Sequence, residues 1–239
     1  MGDAFSGKVV LVTGGTGGLG RAVSLAFLEA GAVVAVTYRK QEEFDTLKQA
    51  TGRHGSRLTG HVADVTDEAE AGKLVAAILA QHGSLHSLVN TVGGYAGGAP
   101  LWETDPKVLD QMLTLNLRSG YVLARAVVPG MLKRRSGAIV NIASKAAVEH
   151  AAGAGAYAAS KAAALALLDS LAADLKGTGV RVNTILPSII DTQANRKAMP
   201  KSDFAVWPKP EDIGRVIVFL CSDDAKVIHG AAIPVYGND

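Results

Sequence analysis

The chain has 239 residues, of which 48% are apolar and 19% are charged, with 24 basic and 22 acidic side chains. A length near 240 fits one α/β domain, and apolar content near half excludes disordered and collagen-like chains. The nearly balanced charge does not indicate the strongly basic domain that is typical of nucleic-acid binding. A single cysteine, Cys221, excludes a disulfide framework and a cysteine zinc site.

The sequence predicts neither a membrane span nor an export signal. A bilayer span takes about 20 largely apolar residues in a row, and no stretch of this sequence is that long. Residues 1–3 carry no basic segment of the kind that begins a signal peptide. With one cysteine only, we expect a cytoplasmic protein whose partners include neither membrane nor nucleic acid.

Short apolar runs alternate with helical patterns along the chain. Strands are predicted over residues 8–13, 32–37, 58–62, 87–90, 138–143, 180–186 and 232–235. Helices are predicted over residues 19–30, 42–51, 67–82, 106–133, 156–176 and 210–221. This alternation favours one domain, residues 1–239, built on a parallel sheet with helices on both faces. Residues 188–208 lack clear periodicity and are expected to form a lid over a site.

A glycine cluster joins the first predicted strand to the first helix, where residues 13–20 read TGGTGGLG. Glycines let the backbone turn tightly and approach a pyrophosphate, whose charge then faces the positive end of the helix. A Walker A loop is excluded because no Lys-Ser/Thr pair follows the last glycine. The cluster therefore predicts a dinucleotide site that includes Gly14, Thr16, Gly17, Gly18 and Leu19.

The residue about 20 positions beyond such a turn indicates which dinucleotide is bound. Counting from Gly18 leads to Tyr38, where an NAD enzyme is expected to carry a carboxylate. Arg39 and Lys40 follow instead, and two cations favour the 2′-phosphate of NADP(H). The alternative is a solvated strand end, which would leave NAD(H) as the cofactor.

A phenol and an ammonium lie four residues apart in the run YAASK, from Tyr157 to Lys161. On a helix this spacing places both on one face, and a neighbouring cation is expected to lower the pKa of the phenol. Ser144 follows the strand predicted over 138–143, at the carboxyl end where α/β sheets bind ligands. The three groups are expected to converge, although an ordinary exposed helix pair is the alternative for Tyr157 and Lys161.

The sequence resembles the classical short-chain dehydrogenases/reductases along essentially its whole length. The resemblance is carried by the glycine turn, by Ser144, Tyr157 and Lys161 at the family's spacing, and by the run PEDI at residues 210–213. Asn116, in the run TLNL, matches the catalytic asparagine of the family. The resemblance implies a single-domain, Rossmann-type doubly wound sheet of seven parallel strands with helices on both faces.

The same resemblance implies an NAD(P)-dependent oxidoreductase that interconverts a carbonyl and an alcohol by hydride exchange with the nicotinamide. Tyr157 would protonate the carbonyl oxygen, and Ser144 would hydrogen-bond that oxygen. Lys161 would bind the nicotinamide ribose and acidify Tyr157, while Asn116 would hold a water that links Lys161 to solvent. The cofactor contacts implied beyond the glycine turn and residues 38–40 are Asp64, Val65, Asn90, Gly93, Tyr157, Lys161, Pro187, Ile190 and Thr192.

Among the departures from the family pattern, two bear directly on the cofactor site. Asn90 begins the run NTVG where the family has Asn-Asn-Ala-Gly, so the support of the neighbouring loop must differ. Gly17 stands where many NADP-preferring members carry an arginine.

Three loops, at residues 93–102, 146–150 and 188–208, would bound the substrate. The candidate substrate contacts in them are Tyr95, Ala146, His150, Phe204 and Trp207. Small uncharged side chains at residues 146–148 favour a neutral or acyl-type carbonyl compound. Two alternatives stay open: a 3-oxoacyl reductase acting on a carrier-protein or CoA thioester, with the basic run 133–135 docking an acidic carrier, and an NAD(P)-binding regulatory protein without turnover.

The predicted helix 156–176 is apolar on more than one face, which is typical of a helix buried on both sides. Relatives pair such helices across a two-fold axis, so a homotetramer or homodimer is expected. His82 and His86 offer a four-residue histidine spacing, but Gly83 between them should end the helix. No metal site is therefore predicted.

Overall fold

A computed structural model describes residues 4–238 of the chain. Residues 1–3, on which the signal-peptide argument depends, and residue 239 lie outside the described part. Within residues 4–238, no helix combines the length and the apolar content that crossing a bilayer requires.

Seven parallel strands form one sheet in the described chain, in the order β3-β2-β1-β4-β5-β6-β7. Their bounds are β1 Val9–Thr13, β2 Val33–Tyr38, β3 Leu58–Val62, β4 Ser87–Asn90, β5 Gly137–Ile142, β6 Val180–Pro187 and β7 Ala232–Val235. The strand order runs outward in both directions from the gap between β1 and β4, which is the switch point where sheets of this kind bind ligands. The predicted doubly wound fold class is confirmed.

Helices cover both faces of the sheet. Their bounds are α1 Gly18–Glu29, α2 Gln41–Ala50, α3 Glu68–His82, α4 Pro106–Leu113, α5 Ser119–Arg134, α6 Gly155–Asp174, α7 Gln193–Ala198 and α8 Pro210–Cys221. Alternate residues of β1 divide between two apolar layers, because side chains of a strand point to opposite faces in turn. Val10 and Val12 pack with α1, α2 and α8, whereas Val9 and Leu11 pack with α3, α5 and α6.

The predicted helix 106–133 is interrupted in the structure. A π-helical turn, Thr114–Arg118, joins α4 to α5 and carries Asn116. A π turn keeps the chain on a helical path, so the apolar pattern of the sequence does not end there. Such turns occur frequently at functional sites.

Residues 188–208 are more regular than their sequence predicts. They contain the six-residue helix α7 and a 3-10 turn, Phe204–Val206. α7 is too short to show periodicity, and it begins where the Thr192 hydroxyl accepts the N–H of Asn195 at 3.2 Å. Hydrogen bonds of 2.5 and 2.7 Å from Arg196 to Asp191 brace it.

The two histidines with four-residue spacing have separate surroundings. Gly83 ends α3 in the left-handed conformation, with a φ of 75°, as predicted. His86 lies beyond it, and its Nδ1 accepts the backbone N–H of Val9 at 2.9 Å. His86 thus supports the start of β1. Residues 4–238 contain no group of three or more potential metal ligands.

Candidate active site

The glycine turn leaves no space for side chains. Gly14 has a φ of 68°, in the left-handed region that favours glycine. A Cβ added to Gly20 would lie 2.1 Å from the carbonyl oxygen of Gly14, and one added to Gly18 would lie 2.7 Å from Cγ2 of Thr192. The left-handed backbone at Gly14 and the close packing at Gly18 and Gly20 therefore favour glycine, which lets a ligand approach the backbone of the turn.

The N-terminus of α1 offers backbone N–H groups with partial positive charge to a ligand. Gly17 is its N-cap, and its first turn has neither a capping side chain nor an acidic residue. The first N–H groups of a helix carry partial positive charge and need an acceptor from outside the helix. A bare backbone turn in front of such a helix end fits a pyrophosphate, so Gly14, Thr16, Gly17, Gly18 and Leu19 form a cradle suited to a dinucleotide.

The end of β2 carries the residues predicted to select the cofactor. The ring of Tyr38 is half-buried and stacks on Phe44, with ring centroids 4.7 Å apart. Arg39 and Lys40 are exposed. In residues 4–238 the guanidinium of Arg39 makes no hydrogen bond or ion pair, which leaves it available to a phosphate. Asp64 is exposed nearby, and hydrogen bonds from Thr66, together with the charge of Arg39, hold its pKa below the usual value.

Asn90 holds the switch point together from inside. Its side chain is buried, and Oδ1 accepts the hydroxyl of Thr13 at 2.8 Å while Nδ2 donates to Oδ1 of Asn141 at 3.0 Å. Thr91, which stands where the family has a second Asn, donates its hydroxyl to the carbonyl oxygen of Thr13 at 2.7 Å. The Asn90 side chain thus ties β1, β4 and β5 together within the protein. The Thr91 hydroxyl ties the start of the loop after β4 to the end of β1.

Ser144 and Tyr157 meet at the carboxyl end of the sheet. Ser144 follows β5 and Tyr157 lies in the first turn of α6, where the Ser144 hydroxyl acts to lower the pKa of Tyr157. Burial raises the pKa of Tyr157, and the Ser144 hydroxyl only partly offsets this effect. Tyr95 raises that pKa a little further.

Lys161 lies one helical turn beyond Tyr157 and is fully buried. Its Nζ donates to the carbonyl oxygen of Ile142 at 2.9 Å and lies 6.0 Å from the centroid of the Tyr157 ring. Burial lowers the pKa of Lys161 to about 8. The predicted lowering of the Tyr157 pKa by Lys161 is therefore wrong, because desolvation of the phenol dominates. A phenol that stays protonated suits a proton donor.

Asn116 fastens the loop after β4 to α6. Its Oδ1 accepts the N–H of Gly94 at 2.9 Å, and its Nδ2 donates to the carbonyl oxygen of Gly94 at 3.0 Å and to the hydroxyl of Ser160 at 2.9 Å. A Cβ added to Gly93 would lie 2.8 Å from Oδ1 of Asn116 and 3.2 Å from Nζ of Lys161. Both amide N–H groups of Asn116 are thus used within the protein, so of the Asn116 amide only Oδ1 has acceptor capacity left for a water.

The candidate substrate residues separate into two groups. Tyr95 is 65% exposed and packs edge-to-face on Tyr157, with ring centroids 5.0 Å apart. Ala146 donates its N–H to the Ser144 hydroxyl at 3.1 Å, and His150 is exposed a few residues further on. Phe204 and Trp207 pack on each other at 5.0 Å, and within residues 4–238 neither makes a ring contact with Tyr157.

The segment after β6 is anchored to the glycine turn. Pro187, the last residue of β6, is buried, and Ile190 is half-buried. The side chain of Thr192 lies over Gly18, since a Cβ added to that glycine would be 2.7 Å from Cγ2 of Thr192. Further along the segment, Trp207 is buried. Residues 188–208 therefore border the cradle at one end and the protein interior at the other.

Ser160 is a site residue that sequence reasoning missed. It is completely buried, accepts the Nδ2 hydrogen of Asn116, and donates to the carbonyl oxygen of Tyr157 at 2.7 Å. It connects the π turn to the first turn of α6. Its place between Tyr157 and Lys161 in the run YAASK was the one available signal.

Comparison with known proteins identifies relatives of the whole chain. Residues 8–203 match the family model described as short chain dehydrogenase. The chain is 32% identical to a 3-oxoacyl-(acyl-carrier-protein) reductase of Thermotoga maritima, over 98% of each sequence. Its structure is similar to that of ElxO with NADP bound, with a TM-score of 0.91, 26% identity and coverage of 96% and 97%. It is also similar to an NAD⁺-bound xylitol dehydrogenase, with a TM-score of 0.89, 28% identity and coverage of 98% and 99%.

Proposed function

This chain belongs to the short-chain dehydrogenase family, and we propose that it is a carbonyl reductase or alcohol dehydrogenase that prefers NADP(H) and also accepts NAD(H). Membership makes it an NAD(P)-dependent oxidoreductase that interconverts a carbonyl and an alcohol. The observation that carries the proposal is the placement of Ser144, Tyr157 and buried Lys161 at the carboxyl end of the sheet, with Nζ of Lys161 6.0 Å from the centroid of the Tyr157 ring.

Each side chain has a distinct task in this reaction. The nicotinamide, when bound, supplies or accepts the hydride. Tyr157 gives its phenolic proton to the carbonyl oxygen in reduction and takes it back in oxidation. Ser144 donates a hydrogen bond to the same oxygen as negative charge develops there. The ammonium of Lys161 would hold the nicotinamide ribose when the cofactor is bound.

Asn116 and Asn90 act by positioning. The two bonds from Asn116 to Gly94 fix the loop that lies against Lys161. The buried bonds of Asn90 fix the strand ends from which that loop and the glycine turn start. We propose that residues 1–239 form one catalytic domain, in which residues 188–208 close over the cofactor and the substrate.

Arg39→Ala is expected to weaken NADPH binding about tenfold and to leave NADH binding nearly unchanged, because it removes a charge-assisted contact to the 2′-phosphate. The measurement is a fluorescence titration with each nucleotide. Arg53→Ala, which removes another exposed arginine, is the matched control and should behave as wild type. An unaltered preference for NADPH in Arg39→Ala would show that Arg39 does not select the cofactor.

A 3-oxoacyl thioester is the second candidate substrate, because a 3-oxoacyl-(acyl-carrier-protein) reductase is 32% identical over nearly the whole chain. The basic run 133–135 gives this candidate little support. Arg134 donates to the carbonyl oxygens of Leu85 and Gly130, which is a structural use. The run also precedes β5, whereas Ser144 follows it, and a six-residue strand separates them by about 20 Å.

Oxidation of NADPH in the presence of simple ketones, diketones and acetoacetyl thioesters tests the proposal. Turnover of a ketone or diketone supports the first candidate, and turnover of thioesters alone supports the second. A regulatory protein that binds nucleotide without turnover would oxidise NADPH with none of them. The presence of all four residues Asn116, Ser144, Tyr157 and Lys161, three of them buried, favours an enzyme over that third possibility.

We propose that the chain assembles through its α5 and α6 helices as a homodimer or homotetramer. A largely apolar groove of about 300 Å³ lies between them, and it is lined in part by Val128, Pro129, Leu167 and Leu171. Tyr121 stands at its edge and is 47% exposed. An apolar helix face of this kind fits the same face of a second copy. We also expect a cytoplasmic location, which suits the lone buried thiol of Cys221.

Light scattering at micromolar concentration is expected to give the mass of a dimer or tetramer. Leu167→Glu should lower that mass, because it places a charge on the apolar face that the second copy covers. Lys176→Glu, at an exposed position just beyond α6, is the control and should leave the mass unchanged. A monomeric mass for the wild-type chain would overturn the assembly.

A further inference from the structure

Glu43 joins two segments at the adenosine end of the proposed cofactor site. Its Oε2 accepts the hydroxyl of Thr16 at 3.1 Å, and its Oε1 lies 3.7 Å from Nζ of Lys40. Thr16 belongs to the glycine turn, and Lys40 follows the end of β2. A carboxylate therefore spans the gap between the backbone suited to a pyrophosphate and the strand end that carries the cofactor-selecting residues.

The surroundings of Glu43 attract an anion. α2 begins directly after Lys40, which is its N-cap, and no side chain caps its first turn. The positive end of this helix adds to the charge of Lys40 and of the exposed Arg39. Gln41, in the same turn, is occupied by hydrogen bonds with Tyr38 and with Asp45. Glu42 and Glu43 both lie in the first turn of α2, and in residues 4–238 it is Glu43 that contacts Thr16 and Lys40.

We propose that Glu43 discriminates between the two nicotinamide cofactors, because its carboxylate competes with a 2′-phosphate for Thr16 and Lys40. NADP(H) has to displace the carboxylate from both groups, whereas NAD(H) carries no phosphate there and leaves them in place. The inference rests on the proposed nicotinamide-dependent function and deepens it. Arg39 and Lys40 favour the phosphate, and Glu43 limits that preference, so that the enzyme retains use of NAD(H).

Exposure of the pair makes this competition possible. The side chains of Lys40 and Glu43 are 74% and 45% exposed. Contacts between groups so open to solvent break at small cost, so the carboxylate can turn away from an incoming phosphate. Its charge nevertheless stays within a few ångströms and opposes the phosphate.

Glu43→Gln tests the role of that charge, because glutamine keeps an acceptor for Thr16 and loses the negative charge. Calorimetric titration with 2′,5′-ADP and with 5′-AMP measures the 2′-phosphate contribution without substrate or turnover. We expect 2′,5′-ADP to bind the variant about tenfold more tightly and 5′-AMP to bind it nearly as it binds wild type. The ratio of kcat/KM for NADPH to that for NADH should rise by the same factor.

Glu42→Gln is the matched control, since it removes the same charge from the adjacent position, where the side chain is exposed and contacts neither Thr16 nor Lys40 in residues 4–238. It should leave both affinities unchanged. Unchanged binding of 2′,5′-ADP by Glu43→Gln, an equal gain in Glu42→Gln, or weaker 5′-AMP binding by Glu43→Gln would each overturn the inference. Absence of turnover would overturn the proposed function alone, because the titration requires none.

Discussion

Tyr157→Phe is expected to lower carbonyl reduction about thousandfold while nucleotide affinity stays nearly unchanged, because the variant loses the proton donor and keeps the ring. The Tyr157 ring packs edge-to-face on Tyr95. Phenylalanine preserves the ring contact, so the fold should persist. Initial rates from NADPH absorbance and a fluorescence titration give the two quantities.

Tyr95→Phe provides the control for Tyr157→Phe. It removes a phenolic hydroxyl from the neighbouring ring, 5.0 Å away between centroids. Activity should remain within about fivefold of wild type, because Tyr95 is not the proton donor of the reaction. Substantial reductase activity in Tyr157→Phe, or an equal loss in Tyr95→Phe, would remove Tyr157 from its role as proton donor.

Lys161→Met is expected to lose activity about hundredfold and to gain stability. The ammonium is fully buried, and burial lowers its pKa to about 8. Methionine removes this desolvation penalty and leaves the carbonyl oxygen of Ile142 without its donor, for a net gain of about 1–2 kcal/mol in the free energy of unfolding at pH 7. Urea denaturation measures the gain, and the rate of NADPH oxidation measures the loss.

The pH dependence of stability tests whether the buried charge of Lys161 is the cause of that gain. The side chain titrates near 10.5 when unfolded and at about 8 when folded, so between these values the unfolded chain binds more protons. The contribution of Lys161 to the free energy of unfolding therefore rises with pH across that window, and its penalty is complete below it. Lys161→Met should lose this rise, whereas Lys176→Met, which removes an exposed lysine beyond α6, should keep it. A rise that persists in Lys161→Met would contradict the assignment.

The strands of this protein follow directly from its sequence. β4 and β7 have the predicted bounds, because each is a short apolar run that ends at turn residues. The convergence of Ser144 with Tyr157 was also predictable, since carboxyl ends of parallel strands meet at one edge. The π turn at Asn116 was not, because a helix that widens by one residue keeps its apolar pattern.

Properties that depend on burial or on contacts between distant residues escaped prediction. The charge of Lys161 suggested a lowered pKa for Tyr157, but desolvation, which sequence spacing does not report, raises it. Asn90 matched a cofactor position of the family, yet its side chain is hydrogen-bonded to Thr13 and Asn141 inside the protein. The hydrogen bond between Thr16 and Glu43 joins residues 27 positions apart, and no sequence motif predicts it.

Transfer of deuterium from NADPH labelled at nicotinamide C4 tests the central claim most directly. The enzyme is incubated with labelled NADPH and the panel of ketones, diketones and acetoacetyl thioesters, and the alcohols formed are analysed by mass spectrometry and NMR. The account predicts deuterium on the carbinol carbon with the wild-type protein and none above background with Tyr157→Phe over the same time. Failure of the wild-type protein to form a deuterated alcohol from any member of the panel would contradict it.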